Sequence, residues 1–410
     1  MKILNIRGRE ILDSRGNPTV EAEITLANGV TAVASVPSGA STGSREALEL
    51  RDHDKSRYLG KGVLTAVNNI NTTIRDALIG LDINQVLVDK TLLSLDNTPN
   101  KNILGANAML AVSLASLKAL AISDNKELYE YLSNGKATMP IPMMNILNGG
   151  KHADSNVDIQ EFMIVPVMKG FKERLRAGSE VFYSLKKILN DQGLNTGVGD
   201  EGGFAPNLAY NSLALDLIVE AIKKAGYIPG KDIFIALDVA ASEIYDKNTK
   251  CYKIDSRMLS ADDLIKYYIA LIEKYPIISI EDPFFEDDFE SLAVLTKIIG
   301  EKVMLVGDDY FVTNEEYLKK GINMEAGNAI LLKANQIGTV TEMTKTIICA
   351  RKANYKMVIS HRSGETEDTF IADFAVGLNL PFIKTGSLCR GERIAKYNRL
   401  LRIEEKLSSK

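Results

Sequence analysis

Six apolar runs in the second half of the chain each lead into a side chain that can carry charge or a proton. "IFIALD" ends in Asp238, "IISIE" in Glu281, "VMLVGD" in Asp308, "AILLK" in Lys333, "KMVISH" in His361 and "FIK" in Lys384. Three carboxylates on successive runs make a hard-oxygen site suited to Mg²⁺, and so few His and Cys argue against zinc. A single acid at a strand end more simply caps the next helix or meets a lysine. Three gathered together would repel strongly without a cation among them. Lys333, at the end of an apolar strand, is expected to have its pKa lowered by desolvation and by nearby cations, which suits a general base. Arg362 and Ser363, beside His361 and before a Gly turn, suit a phosphate or carboxylate group, and Lys384 adds a cation.

The opposite charge type comes from earlier in the chain. "GGKHADSNVDIQEF" supplies His152, Gln160 and Glu161, and "GVGDEGG" supplies Glu201. Glutamates facing a lysine across a pocket form a base-and-acid arrangement, one side removing a proton and the other assisting a leaving group. "GVGDEGG" also carries the G-x-G-x-x-G spacing of a dinucleotide turn. Asp200 and Glu201 would repel a pyrophosphate there, and Pro206 argues against the long helix that such a turn must open. The glycines therefore read as shaping a turn that presents an acid. Ser38 to Asp52, "SGASTGSREALELRD", has the small and flexible composition of a lid.

These residues need elements that bring them to one place. The apolar runs lie about one βα unit apart and alternate with amphipathic helices, such as the one opened by Ser260 and Asp263 in a capping box. In a closed (β/α) barrel the C-terminal strand ends share one mouth, so the six side chains would point into a single pocket, whereas an open doubly wound sheet would spread them along a line. Met139 to Lys384 is close to the ~250 residues of such a barrel. Before it, "TVEAEITLANGVTAVASV" alternates with Val20, Ala22, Ile24 and Leu26 on one face, and Asn28-Gly29 marks a hairpin. Helical periodicity follows to about Leu132. The chain thus reads as an α/β protein: an α+β domain over residues 1–135, then a barrel domain over 136–410.

At 410 residues, with 45% hydrophobic and 25% charged content, this is an ordinary globular composition. A net charge of −4 without a basic run gives no field for nucleic acid. The charged start does not read as a secretory signal, and no stretch reads as apolar for long enough to span a bilayer. Three scattered cysteines fit a reduced, cytoplasmic chain.

The motifs "DSRGNPTVEAE", "SGASTG", "LNGGKHA", "GDEGGFAP", "SIEDPFFEDD", "LLKANQIGT", "SHRSGETEDTFIADFAVGL" and "AKYNRLLRIEE", in this order, resemble the enolase family over nearly the whole chain. The resemblance implies a TIM barrel that starts ββαα. It implies reversible dehydration of 2-phosphoglycerate with two Mg²⁺ per active site. Asp238, Glu281 and Asp308 would hold the first ion and Ser41 of the lid the second. Lys333 would be the base at C2, and Glu201, with Glu161 beside it, would assist departure of the C3 hydroxyl. Arg362 and Ser363 would hold the phosphate, Gln160 and Lys384 would line the substrate, and His152 and His361 would close the pocket. It further implies a homodimer or a larger ring of dimers. A second reading is a surface-displayed or scaffold protein on the same fold, for which the terminal Lys410 is the only pointer.

Overall fold

The computed structural model describes residues 1–40, 43–133 and 135–409. Strands β1 (Ile3–Leu12), β2 (Pro18–Leu26) and β3 (Thr31–Ser35) form an antiparallel sheet in that order. The period-two pattern of β2 sorts its faces: Val20, Ala22, Ile24 and Leu26 are buried, while Glu21 and Glu23 on the other face pair with Arg9 of β1. Gly29 turns β2 into β3 at φ +85°, a conformation that suits glycine.

The buried face of this sheet packs on the helix Ala106–Ser123. By length and composition this helix could cross a bilayer, with a mean hydropathy of 1.5 over 18 residues, which corrects the expectation that no segment is apolar enough. Its apolarity has another physical reason. The helix is 78% buried, with β2 and β3 on one side and barrel helices on another, so it has no wet stripe to fill with charge. Ser113, inside it, accepts a hydrogen bond from the backbone N–H of Val340 in the barrel.

The second unit is a closed barrel of eight strands: β4 (Ile141–Asn148), β5 (Glu161–Pro166), β6 (Ile233–Asp238), β10 (Ile277–Glu281), β11 (Met304–Gly307), β12 (Ala329–Leu332), β13 (Lys356–Ser360) and β14 (Phe382–Lys384). A side sheet, β7 (Tyr245–Asp246), β8 (Cys251–Ile254) and β9 (Arg257–Leu259), is inserted after β6. No helix of the barrel type separates β4 from β5, so β5 runs antiparallel to both neighbours, and the helices Phe171–Asp191 and Asn211–Lys224 follow in succession. The start is therefore ββαα. Because β5 is reversed, its first residue, Glu161, sits beside Asp238 at the rim where the parallel strands end. The capped helix starts expected from sequence are present: Ser260 accepts from the N–H of Asp263, and Thr339 from that of Glu342.

The barrel interior is plugged by Met143, Met163, Val165, Ala236, Val306, Ala329, Leu331 and Val358. Side chains on a strand alternate, so one further inward step toward the mouth gives Glu161 above Met163, Asp238 above Ala236, Asp308 above Val306 and Lys333 above Leu331. The apolar plug and the polar mouth are successive layers of one inward-facing register.

Candidate active site

Lys384, on β14, reaches across the mouth to carboxylates of the far wall. Its Nζ lies 2.8 Å from Glu281 Oε1, 3.2 Å from Asp238 Oδ2 and 3.2 Å from Glu161 Oε1. Burial opposes the ammonium charge, but these three acids outweigh it and raise its pKa well above the ordinary value. On the adjoining side, Lys333 Nζ is in direct contact with Asp308 Oδ2, while Gln336 donates to Asp308 Oδ1 at 2.8 Å. Lys333 therefore differs from expectation. Burial alone would lower its pKa, yet the touching Asp308 carboxylate raises it, so here it is an ammonium and not a free base.

Asp238, Glu281 and Asp308 share the mouth but are held by these two lysines. Among the described residues, the groups whose ligand atoms lie within 4.8 Å of one another are His152–Glu161–Glu201 and Asp282–Asp308–Asp309. The second of these uses the partners of two sequence doublets, "ED" and "DD". Asp282, at φ +43°, turns its carboxylate to accept from the N–H groups of Asp308 and Asp309 at 2.8 and 2.9 Å. Glu161, Glu281, Asp282 and Asp309 are all raised well above the usual carboxylate range, first by burial and then by the charges of neighbouring acids. This oxygen-only donor set is over-supplied with negative charge, and divalent cations fit that condition.

The acid side is built by close backbone approaches. A Cβ on Gly199 would meet His152 O at 2.4 Å, and one on Gly202 would meet Cys389 O at 2.7 Å, so the glycines let three loops converge behind Glu201. No helix opens at Gly202: Gly199 N–H bonds to Gly203 O, and the next helix begins at Asn211. Glu201 accepts from Asn145 Nδ2 at 2.9 Å and lies 3.2 Å from His361 Nε2. His152 Nδ1 stands 3.5 Å from both Glu161 and Glu201. Burial opposes charge on both glutamates. Glu201 is nevertheless held well below the usual range by His152, His361 and Arg393, whereas Glu161 is pushed well above it. The two carboxyls interact and are pushed in opposite directions, Glu161 up and Glu201 down. Gln160 donates to Asp238 at 3.4 Å.

On the remaining side the segments around Ala40 and Glu46 meet the barrel. Arg362 donates to Glu46 through Nη1 at 2.8 Å and Nη2 at 3.1 Å, and Ser363 Oγ accepts from Ala40 N at 2.7 Å. Reciprocal backbone bonds join Ser38 and Gly364. Ser41, the expected ligand of a second ion, lies outside the described residues. Together these pairings leave a cavity of ≈ 30 Å³ between His152, Glu161, Glu201, Lys333, Arg362 and Lys384, room for about two water molecules. A larger anionic guest has to displace Glu46 and the lysines from their present partners.

Sequence reasoning missed Asp282, Asp309, Glu46 and Arg393. The doublets were a usable signal for the first two; nothing local marked the others.

The fold is a TIM barrel whose C-terminal mouth gathers buried acids and lysines around one cavity. The family model described as "Enolase, C-terminal TIM barrel domain" matches residues 136–410, and that described as "Enolase, N-terminal domain" matches residues 3–132. The chain belongs to the enolase family, and with it to the enolase-type lyases.

Proposed function

We propose that the chain catalyses the reversible dehydration of 2-phosphoglycerate to phosphoenolpyruvate, as a cytoplasmic, homo-oligomeric enzyme of glycolysis. The observation that carries this reading is the placement of Lys333 and Glu161. In the closed order of the barrel, β12 and β5 are diametrically opposite, so the Lys333 amine and the Glu161 carboxyl face one another across the same cavity. An elimination in which a proton and a hydroxyl leave from opposite faces of one substrate needs that arrangement.

Asp238, Glu281 and Asp308 are the residues that would hold Mg²⁺, with Ser41 proposed for a second ion. When bound, Mg²⁺ supplies positive charge against the substrate carboxylate as negative charge builds next to it. Arg362 and Ser363 bind the phosphate once Glu46 and Ala40 give way, and Gln160 and Lys384 line the carboxylate end. Lys333, separated from Asp308 and having released its ammonium proton to solvent, takes the C2 proton as a neutral amine. Glu161 holds the proton needed on the other face, and His152, equidistant from both glutamates, is placed to pass it to Glu201. Glu201 then gives it to the departing C3 hydroxyl, which leaves as water. His361 closes this side of the pocket. Incubating the chain with Mg²⁺ and 2-phosphoglycerate, and following the ultraviolet absorbance of the enol product, tests the reaction. Light scattering tests the assembly.

A further inference from the structure

The guanidinium of Arg393 is fully buried on the helix Gly391–Ser408, outside the residues that face the cavity. Its Nε pairs with Glu392 of the same helix at 3.2 Å, and its two Nη atoms both serve the two loops that carry the acid side. Nη1 donates to His361 Nδ1 at 2.6 Å and to Arg362 O at 2.6 Å; Nη2 donates to Ser363 O at 2.6 Å and to Asp200 O at 3.0 Å. Arginine has no acceptor. His361 Nδ1 must therefore be the acceptor, and in the neutral ring the proton is left on Nε2. That nitrogen is buried, has no aligned hydrogen-bond partner among the described residues, and sits 3.2 Å from Glu201 Oε2.

We propose that Arg393 is a positioning residue: it fixes His361 as the Nε2–H tautomer and aims that proton at the Glu201 carboxylate. The inference rests on the dehydration reading of the site. Once Glu201 has given its proton to the leaving hydroxyl, it is a buried carboxylate, and the Nε2–H is the donor placed to stabilise it. The other tautomer would point a lone pair at the same oxygen. Packing supports a fixed geometry. Gly386, at φ +79°, lies against all three groups, and a Cβ there would meet Arg393 Cδ at 2.8 Å, Glu201 O at 2.9 Å and His361 Cε1 at 3.0 Å. Burial, opposed by Glu201 and joined by the Arg393 charge, pushes the imidazole down to about 4, so the ring is neutral at pH 7 and has a tautomer to select.

The chain has 3 histidines, His53, His152 and His361, so long-range ¹⁵N–¹H correlation spectra of ¹⁵N-histidine-labelled protein resolve each ring. The expected wild-type pattern for His361 is neutral with the proton on Nε2. Arg393→Met is expected to lose that single pattern and to lower kcat for 2-phosphoglycerate about tenfold or more, with KM and C2-proton exchange within about threefold, because Lys333 is untouched. Arg393→Lys, which restores a cationic donor, is expected to recover part of kcat and the Nε2–H pattern. A wild-type His361 protonated on Nδ1 overturns the proposal, as does a folded Arg393→Met chain with unchanged tautomer and kcat. If Arg393→Met does not fold, the wild-type spectrum and the Lys variant decide. A wild type that leaves 2-phosphoglycerate unchanged refutes the dehydration reading, and the spectrum alone then upholds or overturns the tautomer.

Discussion

Glu46, three residues after Gly43, takes both Nη atoms of Arg362 in a forked pair at 2.8 and 3.1 Å. This is the geometry by which a guanidinium holds a carboxylate or a phosphate, so Glu46 occupies the position proposed for the substrate phosphate. Glu46→Gln keeps the shape and removes the charge. Inorganic phosphate is expected to bind the variant about tenfold more tightly than the wild type by calorimetry, a change of about 1.4 kcal/mol. Equal or weaker binding would show that Glu46 supports Arg362 and does not compete for it.

Lys333 and Glu161 stand on opposite walls, so the proposed base and acid roles can be separated experimentally. Lys333→Ala is expected to abolish exchange of the C2 proton with solvent, a loss of about 10²-fold or more. Glu201→Gln is expected to slow dehydration by a comparable factor while exchange persists. Equal loss of exchange in both variants would mean that the roles are assigned wrongly.

The pKa of His361 also makes a statement about stability. Burial, with the Arg393 charge added, holds the folded ring at about 4, below the 6.5 of an exposed imidazole. Between these values the unfolded chain takes up a proton that the fold refuses, so this contribution is complete above pH 6.5 and is lost as pH falls toward 4. The loss is on the order of 3 kcal/mol. Urea unfolding at pH 7 and pH 5 should show a shallower decline for His361→Gln than for the wild type; parallel declines would contradict the assignment.

Excess buried acid at the mouth predicts a response to Mg²⁺ alone. After chelation, adding Mg²⁺ at a hundredfold excess over its Kd should raise unfolding stability by about 2.7 kcal/mol. Asp238→Asn and Asp308→Asn should each lose most of that response. A wild-type thermal midpoint indifferent to Mg²⁺ would remove the metal from the account.

Much of this site was legible because the barrel converts a linear pattern into a ring. A polar residue that closes an apolar run sits one inward step above the plug, as Asp238 does over Ala236 and Lys333 over Leu331. What was hidden depended on pairing between distant segments. Lys333 reads as a depressed amine from its strand alone, and only the contact with Asp308 reverses the sign. Arg393, in "GERIAKYNRL", has the look of a solvated helix face, yet the loops of Asp200 and Arg362 fold over it. Ala106–Ser123 was legible as a helix, but its burial on more than one side belongs to the assembled fold.

The central claim is that Lys333 and the glutamate pair act on one phosphorylated hydroxy acid from opposite walls of the barrel. The most direct test is to mix the purified, folded chain with Mg²⁺ and 2-phosphoglycerate and record ultraviolet absorbance. The account predicts a rise from phosphoenolpyruvate that is abolished by chelation and by Lys333→Ala. No rise from the folded wild-type chain, or an equal rise from the Lys333→Ala variant, would contradict it.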